Sequence, residues 1–198
     1  MPDFEIEDSI AGIVAGIDEA GRGPWAGPVV AAAVIIDRKN VPKGIDDSKK
    51  LTAAKREILF EHIMQTCQVG VGFASAEEID NLNILQATML AMQRAFSNLP
   101  SEPDMTLIDG NKIPQLPCPA TAIIKGDSKS ISIAAASIIA KVTRDRVMHE
   151  LAIQHPQYGF DKHSGYGTKI HQEALERYGI TPHHRKTYKP IAKLVVCS

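Results

Sequence analysis

Cysteine is scarce in this chain. Cys67, Cys118 and Cys197 are the only three among 198 residues, widely spaced and without metal-type pairing. That excludes a disulfide framework and a thiolate zinc site, and points to a reducing compartment, so the cytoplasm is the expected location. Long apolar runs are missing too: no segment approaches the roughly 20 apolar residues of a membrane span. The first twelve residues carry Asp3, Glu5, Glu7 and Asp8 and no basic group, so they do not read as a secretory signal. No internal repeat, low-complexity run or linker interrupts the chain. One domain over residues 1–198 is expected, with enough apolar residues (44%) for a packed core.

Charge is present but unevenly placed. The net charge is −1, yet residues 1–140 hold 12 Lys/Arg against 18 Asp/Glu, while residues 141–198 hold 10 against 5 and six of the seven His. Charged helix surfaces are common and account for such a bias equally well. The functional reading is an acidic site for metal in the first part and a basic C-terminal third that holds a polyanion.

The element pattern is that of an α/β protein. Residues 13–17, 29–36 and 67–74 read as three strands, with a helix from Thr52, a plausible N-cap, to about residue 66 between the last two. Ser75 and Glu78 resemble a capping box. Residues 84–96 carry Leu85, Met89, Met92 and Phe96 on one face and read as a helix. Residues 105–110 read as a short strand ending in Asp109-Gly110, and 121–125 as another, leading into Gly126-Asp127-Ser128. Residues 131–154 read as a long helix and 168–178 as another, while 183–198 shows no clear period. Short connections early favour antiparallel pairing, and helical crossovers later favour parallel pairing. A mixed five-stranded sheet flanked by helices is expected, with a helical C-terminal segment.

Three expected strand ends carry acids: Asp18-Glu19, Asp109 and Asp127. Functional groups in such sheets gather beyond the carboxyl ends of strands. All-oxygen ligands suit a hard cation, Mg²⁺ or Mn²⁺. Asp-Gly pairs also make turns, so each strand end taken alone reads as a turn as readily as a ligand. Two such cations ~3.5–4 Å apart would catalyse phosphodiester hydrolysis with no covalent nucleophile, and no convincing nucleophile is present. Ser128, Ser130 and Ser132 read as helix-cap residues. Asp18-Glu19 leads into Gly21-Arg22-Gly23, a loop open enough for backbone to approach a phosphate or sugar. Lys141 and Asp145 are four apart on one helix and so compose a local ion pair. Lys49 and Lys50 read as solvated charges, and His171, His183 and His184 as surface or phosphate-contacting groups rather than metal ligands.

Seven strings in order resemble the ribonuclease HII family across about residues 13–190: Gly16 to Pro24, Asp47 to Leu51, Ile108-Asp109-Gly110, Lys125 to Ser128, Ser137 to Asp145, Tyr158-Gly159-Phe160 with Gly165 to Thr168, and His184-Arg185. The resemblance implies the ribonuclease H-like fold, with a catalytic core over about 13–155 and a C-terminal segment over about 156–198 that contributes to substrate binding. It implies hydrolysis of RNA paired to DNA and cutting 5′ of single ribonucleotides in duplex DNA. The products would be a 3′-hydroxyl and a 5′-phosphate, as in ribonucleotide removal during replication and repair. It implies Asp18, Glu19, Asp109 and Asp127 as catalytic metal ligands for two Mn²⁺ or Mg²⁺ ions, and Gly21, Arg22 and Gly23 as the reader of the 2′-hydroxyl, the group that separates RNA from DNA. Tyr166 matches the residue that packs on the neighbouring deoxyribose; without the resemblance it reads as a loop aromatic closing a core edge. Arg22, Lys49, Lys141 and Arg144 become phosphate contacts, and Asp145 an acid supporting the ligands. The extra N-terminal domain of the ribonuclease HIII branch is not expected, nor is a clamp-binding tail, since residues 191–198 lack paired aromatics. Nucleic acid is the expected partner, and monomer is the default state.

Overall fold

The computed structural model describes residues 1–195. Cys197 and the end of the tail, where no clamp-binding peptide is expected, lie outside the described residues. The elements run α1 (Glu5–Asp8), β1 (Val14–Ala20), β2 (Val29–Ile35), α2 (Ala53–Thr66), β3 (Gln68–Ala74), α3 (Ala76–Leu82), α4 (Ile84–Ser97), β4 (Met105–Asp109), β5 (Ala120–Ile123), α5 (Ile131–Gln154), α6 (Phe160–His163), α7 (Lys169–Tyr178) and α8 (Lys189–Val195). The five strands form one sheet in the order β3-β2-β1-β4-β5. β2 pairs antiparallel with β1 and β3, whereas β4 pairs parallel with β1 and β5. This is the mixed sheet expected from connection lengths.

Local chemistry sets the helix starts. The Thr52 hydroxyl accepts the Lys55 amide, and Ser75 with Glu78 closes a reciprocal capping box. Ser130 caps α5, whose span is the one its sequence predicts. α1, α6 and α8 have no sequence counterpart; four, four and seven residues are too short for a periodic signal.

Two apolar layers sandwich the sheet. Ala32 and Val34 of β2 pack with α2 and α5 on one face, while Ile17, Ala31 and Ala33 pack with α4 on the other. α5 lies unusually close to β1: a Cβ on Gly16 would stand 2.2 Å from the Ser132 carbonyl carbon. The same helix start is held from below by Glu7, whose Oε1 accepts Ser130 Oγ–H, Ser132 Oγ–H and the Ser132 amide. A third cluster joins the far end of α5 to the C-terminal segment through Met148, Leu151, Tyr158, Phe160 and Leu175.

His171 and His184 belong to this third body and are fully buried. The expectation of surface or phosphate-contacting histidines does not hold for either, because apolar packing from Tyr158 and Phe160 encloses their rings. Burial, the neighbouring His163 for His171, and the partner His171 for His184 push both down to about 4.

Gly16→Ala is expected to destabilise the fold by about 1–3 kcal/mol, measured by denaturant unfolding, because backbone on both sides must separate. The neutral His171 and His184 stabilise the folded state fully above pH 6.5, where the unfolded chain is also neutral, and that stability is lost as pH falls from 6.5 toward 4. Unfolding free energies across that range are expected to fall more steeply for wild type than for His171→Asn.

Candidate active site

β1 carries Asp18 and Glu19 inside the strand, not beyond its end as the sequence suggested. Pairing with Ala32 and Ala31 of β2 continues the ladder through both acids. Successive strand residues face opposite sides of a sheet, so Asp18 lies on the α5 side with Gly16, and Glu19 on the α4 side beside Met89 and Met92. Asp109 is the last residue of β4, next to β1. Asp127 sits in a single 3-10 turn, Gly126–Ser128, between β5 and α5. β5 ends earlier than expected, and the chain reverses at Lys125 in left-handed conformation. The Gly126 amide donates to Asp109 Oδ1 at 2.7 Å, tying the two acid-bearing segments together.

The four acids share one electrostatic neighbourhood. Burial raises the Asp18 carboxyl well above the usual range, and the charges of Glu19, Asp109 and Asp127 raise it further. Burial also raises Glu19, against the opposing pull of Arg22, whose Nη1 lies 3.3 Å from Glu19 Oε1. Asp127 is raised by burial and by Asp47 and Asp109. Lys49 Nζ stands 3.4 Å from Asp127 Oδ2; its own partial burial is outweighed by the charges of Asp127, Asp18 and Asp47, which raise it. The turn bearing Lys49 is held by the Asp47 carboxylate on the Lys49 amide and by Ser137 Oγ on the Ser48 amide. Among the described residues, no group of three or more His, Cys, Asp or Glu side chains is gathered closely enough to hold a metal ion as the side chains stand. The donor set itself is all carboxylate, which fits a hard divalent cation.

The loop after β1 is fixed through its carbonyls. Arg185, fully buried, donates to the carbonyls of Gly21, Arg22 and Gly27. Arg144, also buried, donates to those of Ala26, Pro28 and Ser164. Gly21 has φ +98, and a Cβ there would stand 2.0 Å from Arg144 Nε, so glycine is required on both counts. Among the described residues, the amides of Gly21, Arg22 and Gly23 donate to no protein acceptor. Tyr166 is half-exposed across from them, its Cε1 3.4 Å from the position of a Cβ on Gly23.

Three expectations change. Arg144 is not available to a phosphate, because carbonyls enclose its guanidinium; burial and the nearby Arg185 lower it to about 10, so it stays charged at neutral pH. Asp145 does not support the acids: it pairs with Lys141 at 2.6 Å and accepts Ser164 Oγ–H. Lys141 is thereby engaged, whereas Lys49 and Arg22 remain substantially exposed. Arg185 was given no role by its sequence, since nothing local distinguishes a buried arginine from a surface one.

The family model for ribonuclease HII matches residues 15–191. A ribonuclease HII of Jannaschia sp. (strain CCS1) is 55% identical over 195 residues, covering 98% of each chain. The ribonuclease H2 of Pyrococcus horikoshii OT3 has a similar structure, with TM-score 0.77 and 31% identity over 92% of this chain and 96% of that one. Bst-RNase HIII in complex with Mn²⁺ shares the fold at TM-score 0.76 and 21% identity, over 93% of this chain and 70% of that one. Sequence and fold agree, and the chain belongs to the ribonuclease HII family.

Proposed function

We propose that this protein is a divalent-metal-dependent endoribonuclease that cuts the RNA strand of RNA–DNA hybrids and nicks duplex DNA 5′ of a single embedded ribonucleotide. The reading is carried by one juxtaposition: the amides of Gly21–Gly23, which meet no acceptor among the described residues, follow the acids of β1 after one residue and lie opposite the half-exposed ring of Tyr166. Amides and open backbone suit a 2′-hydroxyl, which both donates and accepts. A ring beside them suits the sugar of the next nucleotide, where a deoxyribose packs and a 2′-hydroxyl would lose contact.

Asp18, Glu19, Asp109 and Asp127 would hold two cations, Mn²⁺ or Mg²⁺, which when bound lower the pKa of an attacking water and neutralise the leaving oxygen. The protein's own contribution is placement. Asp18 on β1 feels the charges of the other three acids, and the Gly126–Asp109 hydrogen bond ties the Asp127 turn to β4. Lys49 and Arg22 offer exposed cations at the rim to phosphates, and their attraction weakens with salt. The C-terminal segment contributes Tyr166 and the clamp of Arg185. No helix among the described residues is long and apolar enough to cross a membrane. In this reading the enzyme acts as a cytoplasmic monomer.

A labelled DNA duplex with one ribonucleotide, incubated with Mn²⁺ or Mg²⁺, is expected to yield a single nick 5′ of the ribonucleotide with a 3′-hydroxyl, while an all-DNA duplex stays intact. An uncut substrate would overturn the proposal, and equal cutting of the all-DNA duplex would point to a general phosphodiesterase. Asp18→Asn is expected to lower the cleavage rate by at least about 10³-fold, the scale of losing a principal electrostatic group, with binding to the duplex retained in a mobility-shift assay.

A further inference from the structure

His171 and His184 are absorbed by neither the acids nor the loop clamp, yet their rings are joined. His184 Nε2 lies 3.0 Å from His171 Nε2. The direction of the bond is fixed from both ends. The Thr181 amide donates to His184 Nδ1 at 2.9 Å, so that nitrogen is bare and the ring's proton is on Nε2. At the other end His171 Nδ1 faces the Tyr166 carbonyl at 3.0 Å. A carbonyl only accepts, so His171 carries its proton on Nδ1 and presents a bare Nε2 to His184. The two requirements agree, and one arrangement of protons satisfies every bond.

A third ring backs this chain. His163 stacks on His171 with centroids 4.7 Å apart, accepts the Gly165 amide on Nδ1 and meets the Tyr158 carbonyl through Nε2. The rings therefore hold the backbone on both sides of Tyr166. The Tyr166 side chain itself has no hydrogen-bond partner among the described residues, so the hydrogen bonds that aim its ring are those of its backbone: its amide on the His163 carbonyl, its carbonyl on the Thr168 amide and His171.

We propose that His184 and His171 are positioning residues for substrate discrimination, forming a directional hydrogen-bond chain from Thr181 to the Tyr166 carbonyl that holds the Tyr166 ring opposite Gly23. The proposal rests on the reading of Tyr166 given above as the residue that senses the sugar beside the ribonucleotide. A long hybrid offers no RNA-to-DNA junction at most cleavage positions, so a loosened Tyr166 affects it less than it affects a single ribonucleotide.

The proton arrangement is read on the wild-type protein. Long-range ¹H–¹⁵N correlation of labelled histidines at pH 7 is expected to show neutral rings, His171 protonated on Nδ1 and His184 on Nε2. A charged ring, or His171 protonated on Nε2, would overturn the chain. Its role is read with two substitutions. His171→Phe keeps the ring but removes both nitrogens; His171→Asn keeps a donor near the Nδ1 position. His171→Phe is expected to reduce kcat/KM on a single-ribonucleotide duplex about tenfold and on a long hybrid less than about twofold, the scale of one hydrogen bond. His171→Asn should restore most of the loss. Tyr166→Ala should show the same split, and adding His171→Phe to it should cost nothing more. Equal loss on both substrates, no rescue by Asn, or additive losses would overturn the proposal. If His171→Phe fails to fold, the wild-type tautomers and the Asn variant still decide it. An unchanged Tyr166→Ala enzyme would overturn the reading of Tyr166 and the proposal with it, while leaving the tautomer result intact, so the two failures are distinguishable.

Discussion

Two buried guanidiniums govern this structure. Arg144 and Arg185 are withdrawn from solvent without an ion pair to any carboxylate among the described residues, and their donors end almost entirely on backbone carbonyls of residues 21–28 and 164. A buried charge is costly unless hydrogen-bonded on all sides, and hydrogen bonds to a charged group are worth about 1.5–3 kcal/mol each. The arrangement also sets like charge near like charge, which lowers Arg144 further. What this holds in place is a loop with its carbonyls turned inward. Each residue has one donor and one acceptor on its backbone; here the Gly21 and Arg22 carbonyls are engaged by Arg185, while the Gly21–Gly23 amides meet no protein acceptor among the described residues.

The same clamp links the halves of the molecule. Arg144 belongs to α5, which packs along β1 and precedes the C-terminal segment; Arg185 belongs to that segment itself. The loop between β1 and β2 is thus gripped from α5 on one side and from the C-terminal segment on the other, with the Gly27 amide on the His183 carbonyl and the Trp25 amide on the Gly165 carbonyl completing the contact. The acids of β1 adjoin this clamped loop, since Glu19 is two residues and Asp18 three from Gly21. The β1 acids and the Gly21–Gly23 amides share one short stretch of backbone.

The acids show how a destabilising group is kept. Asp18 is buried among three other carboxyls, and its raised pKa states the penalty directly: the folded protein disfavours its charge. Lys49 and Arg22 offset part of the repulsion from the rim without being buried themselves. Divalent cations would offset the rest, which accords with a donor set made only of carboxylates.

Much of this was legible along the chain, and the division follows physical range. The span of α5, the Thr52 cap, the Ser75–Glu78 capping box and the sheet's pairing sense came from residues a few positions apart, because helix caps, periodicity and connection length are local. The four acids were legible as chemistry, since their type and adjacency to apolar runs do not depend on the fold. Strand ends were less so: β1 runs through Asp18 and Glu19 because β2 lies alongside. Arg144, His171 and His184 were misread because burial is not a local property, whereas the Lys141–Asp145 pair, four residues apart on one helix, was legible. Arg144 meets carbonyls 116 and 118 residues away, and Arg185 one 164 residues away. By itself the sequence determined the five strands, the long helices, the acidic donors and the family resemblance. Only the tertiary structure decided which cations face solvent and which grip the backbone, because that choice is made by packing between segments that never meet in the sequence.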